Sequence, residues 1–572
     1  MVKKLIVTNR SALIRKYKQA GWDAIRKAVA RLAAADVLRG ITTELDFVDA
    51  PGKKGVPRVT LKSSDKQAKA TIDALYRKHG SPDYLMILGA PDVIPFQRLD
   101  NPLLGTDDPD HALPSDLPYA CEAPFSRKVA DFVGPTRVVG RLPNLNGNKD
   151  AKDLVTLIDA AAAFDSTPGR KTFVISAAEW KGATRANVKR AFGAKQFVEL
   201  CPPKGPNWKA ARMRAPIHFI NCHGGPTDPN YYGDEPEFPE AHLPANIAGI
   251  VARGAVVVAE CCYGGEIYHP PKGVGVGLAN TYLAEGAVAY CGATNTAYGD
   301  ATAATRCAAD ILCTDYMSAV MKRASTGRAL LEARQAFVKS EGADVMDPVD
   351  QKTLGQFLLL GDPSLRPFGA GLAPEKAVGL SRSIVAAAGP GGMKRGGAKS
   401  KPQVKALAPR AHRARREHLK KEGAALARST PCAQKAAGST PAAVQDSLAR
   451  VMAKQGLAPG RTTRYAVAVP QRAGSKAKSF RAMRVRGPKS KVRGRQANGA
   501  AANSGDAVHV MLARASNGAA GPTPKGARGL RRARTLVRGK LHRSKPKIAV
   551  FRGLVARTRD GQVLSYKPVW SK

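Results

Sequence analysis

Long apolar runs are missing from this 572-residue sequence. No window approaches the roughly 18 apolar residues that a membrane helix needs. The first residues, MVKKLIVTNRSALIRK, carry two lysines, but their apolar run stops at Thr8 and Asn9. A secretory leader needs about 7–15 apolar residues in a row, so none is read here. Cysteine is also sparse: nine residues, an odd number, scattered from Cys121 to Cys432 with no CxxC pair. That pattern argues against a disulfide framework and a structural zinc site, and predicts a cytoplasmic protein with free thiols. Acidic residues nearly vanish from the last third. Residues 381–572 hold 44 Lys+Arg against 5 Asp+Glu, a balance of +39 out of a total of +46. Residues 1–380 hold 47 basic and 40 acidic residues, so the chain is an ordinary globular body followed by a cationic tail. Aromatics are rare in that tail, which leaves base stacking of the single-strand-binding kind unsupported.

Length alone suggests about three domains. Short β-rich runs alternate with helical patterns over the first 370 residues. The strand candidates are KLIV (4–7), YLMILGA (84–90), TRVVGRL (136–142), KTFVISA (171–177), IHFIN (217–221), AVVVA (255–259) and AVAYCGA (287–293). Most are continuously apolar rather than alternating, as expected of a parallel sheet covered on both faces. Helical stretches such as AKDLVTLIDAAAAF (151–164), GLANTYLAEG (277–286) and TGRALLEARQAFV (326–338) lie between them. The alternation predicts a three-layer α/β sandwich with a mostly parallel sheet. FDSTPGRK (164–171) divides it into an N-terminal α/β subdomain, 1–165, and a second, 166–370.

Beyond 370 the composition becomes small, basic and aperiodic. Residues 371–460 read as a flexible basic linker, with 390–460 unstructured. Residues 461–572 read as a basic region with a small β-rich module, carried by RYAVAVP (464–470), AVHVMLAR (507–514) and KIAVFRGLVARTRDGQVLSYKPVW (547–570). Asp560-Gly561 in the last of these is a hairpin signal. Charge of this density binds polyanions through phosphate neutralisation, so residues 381–572 predict contact with nucleic acid or an anionic surface. The densest patches are HRARREHLKK (412–421) and RGLRRARTLVRGK (528–540).

Two stretches carry possible chemistry. IHFINCHGG ends an apolar run at His223, Gly224 and Gly225, and AVVVAECCYGG ends one at Cys261 and Cys262 before Gly264 and Gly265. In a parallel α/β sheet, reactive groups gather where the carboxyl ends of strands meet loops. If the two strands are neighbours, imidazole and thiol meet above the sheet. A histidine can raise the thiolate fraction of a cysteine and later protonate a leaving amine. The developing oxyanion needs N–H donors, which Gly224 and the cysteine can supply. The alternative reading is two ordinary core strands with polar ends, and Cys222 is such a core cysteine. Adjacent cysteines space metal ligands poorly, so neither a metal nor any other cofactor is expected.

These residues resemble the caspase-like cysteine peptidases of clan CD, and most of all the gingipain type. The resemblance extends to YLMILGAPDVIPF (84–96), SDLPYA (115–120), VVGRLP (138–143), LANTYLAEGAVAYCGAT (278–294) and FLLLGDPSLRPF (357–368), in the family's order over roughly 80–370. It implies a cysteine endopeptidase acting on a protein or peptide, with His223 as general acid–base and Gly224 as an oxyanion donor. Aligning the apolar block selects Cys261 as nucleophile; a Glu-x-Cys-x-x-Gly pattern selects Cys262. Cys261 is preferred. The basic specificity of gingipains implies cleavage after Arg or Lys, with Asp131 or Asp116 as the pocket carboxylate. The basic tail would then be a substrate for self-cleavage between about 385 and 460. The competing reading is a non-catalytic nucleic-acid-binding or scaffold protein on the same fold. Nothing in the sequence specifies an oligomeric state.

Overall fold

Apolar runs too continuous to alternate must be buried on both faces, and a sheet with helices on either side does this. The computed structural model describes residues 2–368, except 62, 302–306 and 343–344, and then 409–436, 439–454, 461–468, 507–514, 548–559 and 562–572. The linker core 386–403, the patch at 528–540 and the turn Asp560-Gly561 lie outside the described residues.

Ten strands form the main sheet: β1 (Val2–Thr8), β2 (Ile41–Phe47), β3 (Tyr84–Leu88), β4 (Val139–Leu142), β5 (Thr172–Ala177), β6 (Val198–Cys201), β7 (Ile217–Asn221), β8 (Val256–Ala259), β9 (Ala289–Ala293) and β10 (Phe357–Gly361). Their order is β2-β1-β3-β4-β10-β9-β8-β7-β5-β6. Every neighbouring pair is parallel except β9 and β10. The sheet is therefore two parallel halves running in opposite directions and sewn together at one antiparallel seam. The edge strands β2 and β6 keep partly exposed residues, whereas β3, β4, β5 and β7–β10 are buried throughout. Each fully buried Val, Leu or Ile side chain there contributes roughly 1.5–3 kcal/mol. All seven expected strands are present, and so are helices Lys152–Ala163, Leu278–Ala284 and Thr326–Glu341.

The expected unstructured stretch is corrected over 409–454. It holds helix Pro409–Ser429, strand β11 (Cys432–Lys435) and helix Ala442–Lys454. The first helix hides a narrow stripe under its basic face. Leu419 packs with Ile41, Tyr84, Val138 and Leu331, and a side chain on Gly423 would overlap the Pro135 carbonyl. Val444, Leu448 and Met452 of the second helix pack on Met511 and Leu554.

Strands β12 (Arg461–Ala468), β13 (Ala507–Arg514), β14 (Phe551–Arg559) and β15 (Gln562–Ser571) extend β11 into an antiparallel sheet. Its far edge is the two-residue strand Tyr298–Gly299, which follows β9 in the main body. Lys567 anchors the sheet through Asp347 and Asp350 at 2.6 and 2.7 Å. Three other described tail cations are also engaged with the body, while Arg413, Lys420, Lys421 and Arg428 stay exposed. Arg415 meets Glu332 at 2.6 Å, Arg416 meets Asp83 at 3.2 Å, and Arg552 meets Glu235 at 3.1 Å.

Candidate active site

Strands β7 and β8 are neighbours in register, Ala259 beside Ile220, so their carboxyl ends deliver His223 and the Cys261–Cys262 pair to one edge. The loops after β5 and β9 arrive at the same edge, bringing Glu179 with Trp180 and Ala297 with Tyr298 and Gly299. His223 and Gly224 leave β7 to pair with Tyr231 and Tyr232. A methyl on Gly224 would overlap the Cys262 carbonyl oxygen, so only glycine lets this backbone lie against the cysteine.

The imidazole of His223 is buried between Trp180 and Phe238, with ring centroids 4.2 and 5.3 Å away. Its Nε2 is 2.8 Å from Glu179 Oε1. A carboxylate accepts, so Nε2 donates to it, which makes Nδ1 the ring nitrogen for proton transfer. Burial alone would raise the Glu179 carboxyl, but the His223 hydrogen bond, the His223 charge and Arg552 outweigh it and hold it below its ordinary value. Carboxylate oxygens of Glu179 and Glu235 and a His223 ring nitrogen lie within 4.8 Å of one another, a grouping that can hold a metal ion. Arg552 already supplies positive charge there, 3.8 Å from Glu179 and 3.1 Å from Glu235.

The two cysteines lie in the turn after β8, and their sulfurs approach different carbonyls. Cys261 Sγ points back at the Ile220 carbonyl, 3.8 Å away, and burial pushes its thiol well above the usual value. Cys262 Sγ lies at the loop after β9, 3.3 Å from the Ala297 N–H and 3.5 Å from its carbonyl. Burial pushes the Cys262 thiol up to about 12.

The backbone N–H of Cys262 donates to the Lys572 carbonyl oxygen at 3.0 Å, and the Lys572 N–H donates to Ala297 O at 2.9 Å. Ser571 and Trp570 continue as an antiparallel pairing with Tyr298 and Gly299. The Lys572 side chain crosses Gly299, where a methyl would strike its Cε. Its ammonium lies 2.8 Å from the Asp300 carbonyl, 3.3 Å from Glu260 Oε1, 3.5 Å from Asp310 Oδ1 and 4.7 Å from the Trp180 ring centre. Asn187 Nδ2 braces the two carboxylates, 2.9 Å from Asp310 and 3.4 Å from Glu260. Burial works to lower the Lys572 ammonium, but Asp310 and Glu260 outweigh it and hold it above its usual value. Burial raises the Glu260 carboxyl.

Neither expected pocket carboxylate belongs to this group. Asp116 is clasped by Arg141 through both oxygens, at 2.6 and 2.8 Å. Arg141 also donates to the Gly89 and Ile94 carbonyls at 2.8 Å, so one guanidinium ties together three of the segments on which the family resemblance rests. Asp131 is exposed and accepts from Ser126 Oγ at 2.5 Å. The reading missed Glu179, Asp310 and Lys572, which carry no sequence signal. It had a signal for Glu260: an acid closing an all-apolar run, directly before the cysteine pair.

Residues 242–368 match the model of peptidase family C25. The matched segment contains Glu260, both cysteines, Gly299 and Asp310 but not His223, and the match bears out the resemblance to gingipain-type cysteine peptidases. Among solved structures the chain is similar to one described as a protease, at 14% identity and TM-score 0.43, over 64% of this chain and 78% of that one. It is also similar to the complex of Porphyromonas gingivalis RgpB pro- and mature domains, at 13% and 0.44, over 64% and 79%. The Saccharomyces cerevisiae separase–securin complex matches at 11% and 0.27, over 40% and 14%. No curated protein sequence matches the chain. Among the described residues no helix is long and apolar enough to cross a membrane.

Proposed function

We propose that the chain is a cysteine endopeptidase that hydrolyses peptide bonds after a basic residue, with Cys262 as nucleophile and His223 as general acid–base. The observation that supports this reading is the close approach of Gly224, next to His223, to the Cys262 backbone beyond the ends of neighbouring strands. The reading takes Cys262 in place of the Cys261 preferred from sequence, because the Cys261 sulfur faces the Ile220 carbonyl. His223 Nδ1 takes the Cys262 thiol proton as sulfur attacks the scissile carbonyl. The oxyanion is received by the N–H groups of Cys262 and Gly224. The tetrahedral intermediate collapses, and the amine leaves with the proton returned by His223. Water, deprotonated by the same ring, then releases the acyl group from sulfur. Buried carboxylates beside Cys262 supply the preference for a cation. The substrate is a protein or peptide; contact of the tail with a polyanion rests on its charge alone.

The test is labelling and hydrolysis with peptidyl electrophiles and substrates ending in Lys, Arg, Asp or Asn, in the full chain and in Lys572→Ala. Cys262→Ala and His223→Ala should each lose at least a thousandfold in turnover, while Cys261→Ala keeps it. Turnover surviving in Cys262→Ala, or labelling by acidic probes alone, would sink the reading.

A further inference from the structure

Lys572, the last residue of the sequence, presents its carbonyl and amide to Cys262 and Ala297 in the geometry of an antiparallel peptide strand. Its side chain enters a closed pocket instead of solvent and is itself 1% exposed. The pocket has a floor of Glu260, Asp310 and the Asp300 carbonyl, a wall of Trp180 and a throat at Gly299. We infer that Glu260, Asp310 and the Asp300 carbonyl form a lysine-selecting subsite for peptide strands laid along Tyr298–Gly299, and that residues 570–572 of the chain itself hold that subsite in cis.

The pocket fits lysine better than arginine. An ammonium has three N–H donors around one compact centre, and three oxygens converge on it here. A guanidinium is a planar fork that needs its acceptors in one plane. The pocket's buried acids have this ammonium as their cation, so an uncharged side chain would leave them without it. Asn187 fixes the pair at the right separation whether or not a lysine is bound. In this arrangement the tail strand blocks the cleft, because the acyl carbon of Lys572 lies where a substrate's would.

This inference rests on the endopeptidase reading, and a test that does not need turnover separates the two. Alkylation of Cys262 by iodoacetamide, followed by peptide mass spectrometry, reads access to the sulfur and its thiolate fraction and needs no turnover. Lys572→Ala should raise the rate at Cys262 at least tenfold over the wild-type chain. Added peptide SYKPVWSK should restore protection, the Arg-ended peptide should need at least ten times the concentration, and the Ala-ended peptide should not protect. Should Lys572→Ala fail to fold by circular dichroism, Trp570→Ala, which removes the stacking on Arg552, is read for the same rise. Unchanged alkylation in the folded variant, or equal protection by the Ala-ended peptide, overturns the inference. Protection by the Lys peptide without hydrolysis of any substrate keeps the subsite and discards the peptidase.

Discussion

Nε2 of His223 and Oε1 of Glu179 stand 2.8 Å apart, and the acid comes from the loop after β5 while the ring comes from the end of β7. The bond fixes the tautomer that leaves Nδ1 available, so Glu179 positions the ring without touching substrate. Glu179→Gln should lower kcat by about 10- to 100-fold with KM nearly unchanged, since losing an acid that orients a reactive imidazole carries effects of that size. Glu179→Asp should recover part of the loss. An equal rise in KM would show that Glu179 serves substrate binding instead.

Gly224 is the position where backbone contact matters most. Gly224→Ala drives a methyl into the Cys262 carbonyl oxygen. Overpacking of this kind costs about 1–3 kcal/mol. Denaturant unfolding should show that modest loss, and activity should fall by far more than the loss of folded protein explains. Wild-type kinetics in Gly224→Ala would remove this residue from the site.

Asp116 and Arg141 are a structural pair. Removing one partner of a buried ion pair costs about 3–5 kcal/mol, so Asp116→Ala should lower the urea midpoint substantially or block folding. The milder Asp116→Asn, assayed below its melting range, should leave the Lys-to-Arg preference unchanged. Glu260→Gln should instead collapse that preference. A specificity change in Asp116→Asn would restore it as a pocket residue.

His218 and His242 flank Tyr282, whose hydroxyl lies 2.7 Å from a ring nitrogen of each. Burial depresses both, to about 4 and about 3, against an ordinary value near 6.5. The unfolded chain therefore binds protons more readily than the folded one between about pH 6.5 and pH 3–4, and stability rises with pH across that window. The contribution is fully present above pH 6.5 and is lost as pH falls through the folded values. Urea midpoints should be flat from pH 7 to 8 in this respect and fall steadily below 6. His218→Gln should shallow that fall; a wild-type midpoint independent of pH between 4 and 6.5 would contradict the assignment.

How much of this was legible depended on how far each residue's role was local. β7 and β8 were readable because a central parallel strand must be apolar throughout, and that is a local property. β2 was not: ITTELDF is a half-exposed edge strand whose mixed pattern fits several structures. Helix Pro409–Ser429 was hidden because its buried stripe is thin and its mean composition is that of a solvated tail. The approach of His223 and the cysteine pair to one sheet edge followed from strand ends and glycines. Facing directions did not, since one residue of register decides which cysteine is exposed to the loop after β9. Asp116 was a misleading candidate because a buried aspartate next to a substrate motif and one inside a structural knot look alike in sequence. Asp310 and Lys572 lie 50 and 312 residues from Glu260, and only the folded chain brings the three together.

Covalent attachment changes what the pairing of Ser571 with Tyr298 means for a competitor. A tethered strand presents itself at an effective concentration set by its linkage, on the order of millimolar for a short flexible tether and independent of dilution. β15 is not a loose tether: it is one strand of a sheet clamped to the body at Lys567. Relief of occupancy therefore cannot come from lowering protein concentration. It requires a substrate richer in contacts than three residues of tail, or an event that loosens the sheet from Asp347 and Asp350. The ion pairs at Lys567, well away from Cys262 in the sequence, would then set the threshold at which the cleft opens.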